Sequence, residues 1–442
     1  MKRKKLLAFL MVFVLTAGLF VGCSGGSDKE PKEKAKTESK DASREDEIVL
    51  TYWGWESNVY EPMMAAYTER HPNVTFEVSD VASADYVTKL QQTIASGSEL
   101  PDIIVSEMSY RGQMLAMDIW ENLEDEAYGV TEDMFFDYTV DLMSNDNGDI
   151  VCIDESVSPA AFAYKRDVAK EYLGTDDPKE LESMFTSVDD LIRIAKEVQE
   201  KSDGEVYLFA TAGAVERWVS NIVLDSAVNE EGELDFTTKR GSAIKSLCDL
   251  RDAGAIDVIQ QWTPQDNAAY ADSKHILFPA ANWSPEYSIK PNDPDGAGNW
   301  GMFVPPGGGF SWGGTAMGIN KESEYKDVVW DFIKFCTIDK EGVDIMRAEA
   351  GYYTPVQSLY GDPEFVSDKD EYFAGQDIGD LYYNQIVPNM KAAPLTEYDG
   401  IIDEVMTFLI QNIMADKNYT YEQALADGIA EVSNRLPDMT VK

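Results

Sequence analysis

Residues 48–105 constrain the fold more than any other part of the chain. Strand-like apolar runs and repeats with helical spacing alternate along this stretch, at 48–53, 60–70, 74–78, 84–95 and 103–105. Apolar residues at helical spacing favour amphipathic helices, and short continuous apolar runs favour buried strands. Strands and helices that alternate in this way are typical of a parallel sheet covered on both faces. The pattern therefore predicts an α/β fold.

Aromatic and charged residues follow the first and third of these predicted strands. Ligands of parallel sheets bind beyond the carboxyl ends of the strands. The residues placed there are Trp53, Trp55 and Glu56 after the first strand and Glu107, Tyr110 and Arg111 after the third. We expect them to line a binding cleft. The alternative for the two tryptophans is packing of the strand exit against the neighbouring helix.

The N-terminus predicts export. Four basic residues at 2–5 precede an apolar run at 6–20, and Gly22 and Cys23 follow. These features are typical of a signal peptide, here residues 1–22. The junction resembles a bacterial lipobox, with Phe20 where that pattern favours Leu, and a plain secreted protein is the alternative. The resemblance implies that Cys23 carries a diacylglycerol anchor bearing fatty acids such as palmitate. Residues 23–47 are too polar to bury a core, so we expect a disordered tether.

Length and charge limit the remaining possibilities. The body beyond the tether exceeds the length at which one hydrophobic core usually splits, so we expect two lobes. The chain of 442 residues has a formal net charge of −43. A surface this acidic repels phosphate backbones, which argues against a nucleic-acid partner.

Cysteine and histidine usage argues against a metal or cofactor site. Cys152, Cys248 and Cys336 are far apart in apolar surroundings, and the sequence contains no Cys-x-x-Cys motif. Buried free thiols are the simplest interpretation, and one disulfide of unknown pairing is the alternative. His71 and His275 lack the neighbours of a catalytic relay. We therefore expect no metal and no cofactor.

Catalytic motifs occur only in unsuitable contexts. A G-x-S-x-G match at 22–26 crosses the predicted cleavage point, and a G-x-G-x-x-G match at 296–301 precedes a strand. Asp154 and Glu155 could form the acid/base pair of an enzyme that acts on glycans, but adjacent strand residues point to opposite faces. We expect no enzymatic activity.

Six sequence blocks, in order, resemble the bacterial extracellular solute-binding protein family 1, the sugar-importer group that includes maltose-binding protein. The blocks are 86–104 with Pro101-Asp102, 159–168, 313–320 with 328–335, 351–356 with Thr354-Pro355, 387–390 and 419–425. Residues 273–278 depart from the family's usual Gly-Lys-Ala-Ala-Met stretch, although the tryptophan expected after it is present as Trp283.

The resemblance implies a two-lobed periplasmic-binding-protein-like fold of type II. Three crossover segments at the hinge would lie near 154–158, 306–311 and 353–357. Lobe 1 would then comprise 48–155 and 310–354, and lobe 2 would comprise 158–306 and 356–442. Hinge closure would trap a ligand between the lobes.

The resemblance also implies a carbohydrate ligand, a mono- or oligosaccharide. Aromatic side chains suit the apolar faces of sugar rings, and charged side chains suit their hydroxyl groups. The candidates for ring faces are Trp283, Trp53, Trp55, Trp312, Tyr110, Tyr353 and Tyr398. Those for hydroxyl groups are Glu56, Glu107, Arg111 and Asp154. Trp218 and Trp262 could equally belong to the core. A peptide or polyamine ligand is the alternative within the binding class.

These expectations combine into one functional hypothesis. The protein would be the substrate-binding lipoprotein of an ABC importer, anchored by Cys23 on the extracellular face of the cell membrane. Its partners would be a small carbohydrate and the membrane subunits of the importer. We expect the protein to be a monomer.

Overall fold

The computed structural model describes residues 47–442, except for Glu56 and the side chains of Ser57 and Asn58. The predicted signal peptide, the lipidation site Cys23 and almost all of the tether lie outside the described residues, as does the predicted site residue Glu56. All described residues belong to one compact unit.

Strands of the described chain form two large sheets and one small hairpin. Their bounds are β1 Ile48–Gly54, β2 Val74–Asp80, β3 Ile103–Glu107, β4 Cys152–Asp154, β5 Pro159–Lys165, β6 Tyr207–Thr211, β7 Ile256–Ile259, β8 His275–Ala281, β9 Trp300–Phe303, β10 Phe310–Ser311, β11 Thr315–Ile319, β12 Lys369–Asp370 and β13 Gln376–Asp377.

Helices surround both large sheets. Their bounds are α1 Ser57–Arg70, α2 Ser83–Ser96, α3 Arg111–Leu115, α4 Asp137–Met143, α5 Arg166–Leu173, α6 Pro178–Met184, α7 Val188–Lys201, α8 Ala212–Asn221, α9 Phe236–Asp252, α10 Pro264–Ala269, α11 Lys290–Asn292, α12 Lys326–Thr337, α13 Lys340–Ala350, α14 Pro363–Val366, α15 Asp399–Ala415 and α16 Tyr421–Arg435. Single 3₁₀ or π turns, such as Met108–Tyr110 and Pro285–Ile289, connect several of them.

The first sheet has the strand order β2-β1-β3-β11-β4. β1 pairs in parallel with both β2 and β3, so the predicted parallel strand–helix series is confirmed. β11 is antiparallel to β3 and β4. Residues on β3 and β11 are almost all buried, as near-continuous apolar strands require when both faces are covered, whereas buried and more exposed residues alternate along β1.

The second sheet has the order β10-β5-β8-β6-β7, with β9 also paired to β5. β6 runs parallel to β7 and β8, whereas β5 is antiparallel to β8, β9 and β10. Helix α7 shows how sequence forms a covering element. Ser187 caps its N-terminus by accepting a hydrogen bond from Asp190, and Leu191, Ile194 and Val198 face the core at helical spacing.

The chain passes from the first sheet to the second between β4 and β5 and returns between β10 and β11. β10 ends at Ser311, and β11 begins at Thr315. Gly313 and Gly314 have φ values of 76° and 111°, which extended strands do not adopt. The chain therefore turns at this glycine pair and enters the other sheet. The predicted lobe boundaries remain a prediction.

The three cysteines of the body are buried and free among the described residues. Burial raises the pKa of the Cys152 thiol to about 12, with the Asp154 charge adding to the rise and Arg111 opposing it. These thiols therefore remain protonated and pack as small apolar side chains. In the part of the chain from 47 onward that the structure describes, no helix combines the length and apolarity needed to span a bilayer.

His275 forms a buried charged contact at the start of β8. Its Nε2 lies 3.2 Å from Asp257 Oδ2 and its Nδ1 lies 3.1 Å from Asp272 Oδ1. Burial opposes protonation, but the hydrogen bonds to Asp257 and Asp272 outweigh it and raise the pKa of His275. The hydrogen bond from His275 lowers the pKa of Asp257.

We predict that His275→Gln destabilises the protein most between about pH 4 and pH 6.5, where the histidine is charged in both folded and unfolded chains and the carboxylates are ionised. The difference should shrink as the pH rises through the raised folded pKa of His275, since that contribution is then lost. Urea unfolding at several pH values measures this difference in the free energy of unfolding between the variant and the unaltered protein. His71→Gln, at a half-exposed position, is the control and should cost little. A pH-independent cost for His275→Gln would contradict the ionic contact.

Candidate functional site

A cavity of about 1280 Å³ lies between the two sheets. From the first sheet it is lined by Trp55, by residues of α2 and by the turn after β3; from the second it is lined by α8 and by the segments that follow β7 and β8. The passages between the sheets and part of α15 complete the wall. The cavity therefore lies beyond the carboxyl ends of β1, β3 and β8, where ligands of parallel strands bind.

Three tryptophans from separate loops meet at one end of the cavity, and we call Trp262, Trp283 and Trp312 the tryptophan platform. The ring centroids of Trp283 and Trp312 lie 5.3 Å apart. The centroid of Trp262 lies 6.2 Å from that of Trp283 and 6.4 Å from that of Trp312. Trp283 donates a hydrogen bond from Nε1 to the carbonyl oxygen of Trp312, at 3.0 Å. Trp262 is 58% exposed, so a large aromatic face is open to a ligand.

Tyr287 extends the platform. It lies on the π turn that follows Trp283, is 71% exposed, and its ring centroid is 5.9 Å from that of Trp283. Exposed aromatic residues clustered in a cavity are uncommon unless they bind something, because burying them would otherwise stabilise the fold.

Trp55, Glu107 and Tyr110 line the cavity from the first sheet. The rings of Trp55 and Tyr110 meet edge to face with centroids 6.0 Å apart. Glu107 caps the turn after β3, because its Oε2 accepts a hydrogen bond from the backbone of Ser109 at 2.8 Å. Of the predicted residues, the structure thus brings these three together with Trp283 and Trp312.

Arg111 and Asp154 do not line the cavity. The Arg111 guanidinium is fully buried, and its Nη1 lies 2.7 Å from Asp154 Oδ1. Burial raises the pKa of Asp154, although the charge of Arg111 opposes this rise. The prediction that these two side chains contact ligand hydroxyl groups is therefore corrected, because each is enclosed with the other behind the cavity wall.

The buried pair instead supports the platform. Arg111 donates from Nη2 to the carbonyl oxygens of Gly314, at 3.0 Å, and Ser106, at 3.1 Å. Gly314 follows Trp312 by two residues, on the turn at the glycine pair. The pair therefore holds the backbone that positions Trp312.

Trp53, Tyr353 and Tyr398 also lie away from the cavity lining. Lys89 covers the Trp53 ring with its ammonium group 3.8 Å from the centroid. Tyr353 is buried and stacks on Tyr383 with centroids 3.8 Å apart. Tyr398 is half-buried against the core of the second sheet. Tertiary packing occupies these three rings, which the sequence did not reveal.

The structure shows which of the two remaining tryptophans belongs to the core and which to the cavity. Trp218 is buried, and its Nε1 donates to the carbonyl oxygen of Pro306 at 3.0 Å, so it belongs to the core. Trp262 belongs to the cavity. It adopts a φ of 62°, uncommon for a residue other than glycine. Sequence showed no signal for that conformation.

A charged cluster that the sequence did not indicate lines the cavity beyond the platform. Arg217 on α8 lies 2.7 Å from one carboxylate oxygen of Asp403 on α15, and Arg240 on α9 lies 2.9 Å from the other. Burial opposes ionisation of Asp403, yet the two guanidinium groups hold its pKa below the usual value. These residues are far apart in sequence, so only the fold brings them together.

No group of three or more His, Cys, Asp or Glu side chains suited to a metal ion occurs within the described residues.

The sequence matches the family model of bacterial extracellular solute-binding proteins over residues 62–374. A lactose-binding protein from Rhizobium radiobacter is 24% identical over 393 residues, which cover 83% of this chain and 87% of that protein.

Two solved structures illustrate the likeness in fold. An extracellular solute-binding protein of family 1 has a TM-score of 0.76 at 20% identity, with 88% of this chain and 99% of that chain covered. The ABC transporter associated binding protein from B. animalis subsp. lactis, in complex with β-1,6-galactobiose, has a TM-score of 0.70 at 17% identity, with 89% and 99% covered. The predicted periplasmic-binding-protein-like α/β fold is confirmed.

We predict that Asp154→Asn lowers the free energy of unfolding by about 3–5 kcal/mol, because Arg111 is left buried without its counter-charge. Chemical denaturation measures the loss. The control is Asp344→Asn, which removes an exposed pair with Lys340 at 3.1 Å and should cost less than about 1 kcal/mol. Equal costs for the two variants would contradict a supporting role for the buried pair.

Proposed function

Because this chain belongs to the bacterial extracellular solute-binding proteins, we propose that it captures a carbohydrate in the cavity between its sheets and delivers it to an ABC importer. The observation that carries the proposal is the tryptophan platform, open to solvent on the cavity wall. Pyranose rings expose apolar C–H faces that pack on indole rings, and their burial between two aromatic surfaces removes apolar area from water.

The polar part of the wall suits the hydroxyl rim of a sugar. Glu107 and Glu155 offer carboxylate acceptors, and Gln113 and Gln261 offer amide donors. Sugar hydroxyl groups both donate and accept hydrogen bonds, so a mixed set of polar side chains around an aromatic surface fits a polyhydroxylated ligand. Support also comes from the relatives, one named a lactose-binding protein and one solved with β-1,6-galactobiose.

The proposal assigns binding and no catalysis. The family comprises binding proteins. The carboxylate pair considered for glycan hydrolysis does not offer two groups to one ligand, because Asp154 is buried against Arg111 while Glu155 lies on the cavity wall. A hydrolase needs both carboxylates on either side of the scissile bond.

We place the protein outside the cytoplasm, as the family's extracellular solute binding implies. The proposal adds the finer points: the signal peptide 1–22, lipid attachment at Cys23, a tether that keeps the binding unit near the importer, and a monomeric state. The basis of the first three is the sequence pattern of the N-terminus.

We predict that Trp262→Ala and Trp283→Ala each weaken binding of lactose or β-1,6-galactobiose about tenfold, which is ~1.4 kcal/mol. Calorimetric titration measures the affinity, and quenching of tryptophan fluorescence on sugar addition gives a second readout. Trp53→Ala is the matched control, because Lys89 covers that ring outside the cavity; its affinity should remain unchanged.

A panel of neutral oligosaccharides extends the test. If no glycan produces heat or a thermal shift while a peptide or a polyamine does, the carbohydrate proposal is wrong.

Cys23→Ser tests the anchor separately. In a bacterial host, the unaltered protein should incorporate labelled palmitate and sediment with membranes, since one or more acyl chains hold it there. The variant should lose the label and appear in the soluble extracytoplasmic fraction. Cys248→Ser, at a buried thiol, is the control and should retain the label. A variant that stays labelled would place the lipid elsewhere.

A further inference from the structure

The cavity continues beyond the tryptophan platform along helix α8. Gly213 near the start of α8 approaches Gln261 so closely that a Cβ there would collide with the glutamine side chain. Gln261 precedes Trp262, so this end of α8 adjoins the platform. Three residues of α8 line the cavity, and their spacing of three or four positions places them on one helix face: Gly213, Arg217 and Ser220. That face leads away from the platform for about 10 Å.

Helix α15 lines the same extension. Four of its residues face the cavity at intervals of three or four positions, which places them on one side of the helix over about 16 Å: Asp403, Thr407, Ile410 and Met414. The total volume of about 1280 Å³ exceeds the roughly 300–1,000 Å³ usual for pockets that hold a small ligand. One sugar ring on the platform would leave this extension empty.

The chemistry of the extension differs from that of the platform. Arg217 is fixed by its contact with Asp403 at 2.7 Å, while Arg240 holds the second oxygen of the same carboxylate at 2.9 Å. The Arg217 side chain nevertheless remains 32% exposed. A guanidinium carries five N–H donors, so Arg217 keeps donors for a ligand after pairing with Asp403. Because Asp403 fixes its orientation, little side-chain entropy is lost when a ligand binds.

The charges of the extension balance. The basic side chains that line it are Arg217, Lys239 and Arg240, and the acidic ones are Asp399, Asp403 and Glu404. Asp403 is ionised between its two arginines, and Lys239 donates to the carbonyl oxygen of Asp225 at 2.7 Å. This set suits neutral hydroxyl groups better than a carboxylate or a phosphate.

We infer that the ligand is a neutral oligosaccharide of at least two rings, one stacked on the tryptophan platform and a further one hydrogen-bonded to Arg217 in a second subsite along α8 and α15. This inference rests on the proposed function. Arg217 determines specificity for chain length, and Asp403 is a positioning residue that orients it.

The test compares ligands of different length on the purified full chain. Galactose, glucose, lactose, β-1,6-galactobiose and maltotriose are titrated calorimetrically into the unaltered protein and into Arg217→Met. At least one oligosaccharide should bind tenfold or more tightly than its component monosaccharides. Arg217→Met should weaken that oligosaccharide about tenfold and change monosaccharide affinity less than twofold. Arg193→Met, at an exposed arginine on α7, is the control.

Three further variants keep the test decisive if Arg217→Met folds poorly. Thr407→Trp fills the extension from the surface of α15 and should exclude the oligosaccharide while leaving monosaccharide binding intact. Arg217→Lys keeps the charge beside Asp403 but loses the planar fork, so it should give an intermediate affinity for the oligosaccharide. Asp403→Asn should weaken oligosaccharide binding as Arg217→Met does, because it frees the guanidinium.

The outcomes separate the two proposals. If no sugar of any length binds, the proposed function fails. If sugars bind but length makes no difference, or if Arg217→Met and Thr407→Trp weaken monosaccharides and oligosaccharides equally, only the second subsite is refuted. Digalacturonate, an acidic disaccharide, is the contrasting probe. If it binds more tightly than the neutral disaccharides, the assignment of a neutral ligand is overturned.

Discussion

The buried ion pair of Arg111 and Asp154 is the contact on which the binding cavity depends. It joins the turn after β3 to the end of β4, and through the carbonyl oxygen of Gly314 it also holds the passage between β10 and β11. Taking both charges out of water is costly, and their attraction together with the hydrogen bonds of the guanidinium offsets that cost. The pair therefore specifies one arrangement at the junction of the sheets more than it adds stability.

The glycine pair converts this fixed junction into a binding surface. Gly313 and Gly314 adopt backbone angles that side chains disfavour, so the chain can leave the second sheet and enter the first within three residues. Trp312 stands at this turn, anchored by its backbone N–H to the carbonyl oxygen of Ser158 at 3.0 Å. The carbonyl oxygen of Trp312 accepts a hydrogen bond from the indole N–H of Trp283. This passage between the sheets thus carries part of the aromatic surface in a fixed position, which reduces the entropy that binding has to overcome.

Electrostatics differ between the surface and the cavity. The chain carries a formal charge of −43, which repels polyanions from the protein as a whole. Within the cavity, Arg217, Lys239 and Arg240 offset Asp399, Asp403 and Glu404, so the local field is much weaker than the net charge suggests. A neutral, polyhydroxylated ligand, as proposed, would meet donors and acceptors there without the desolvation cost of an unpaired charge. The aromatic platform and the balanced cluster are complementary features of one cavity.

The alternation of strands and helices, the parallel start of the first sheet, the family, and the strand-end positions of Trp283, Trp55, Glu107 and Tyr110 were all predictable from sequence. These features depend on local periodicity and on the order of residues along the chain. The sequence could not separate cavity from core among residues with the same local pattern. Arg111 and Asp154 enclose each other. The sequence around Trp218 and Trp262 carries no signal that shows which of the two is buried and which is exposed. Arg217, Arg240 and Asp403 come from three helices that meet only when they pack together in the core of the second sheet. Side-chain contacts between distant segments decide such assignments, and only the tertiary structure contains them.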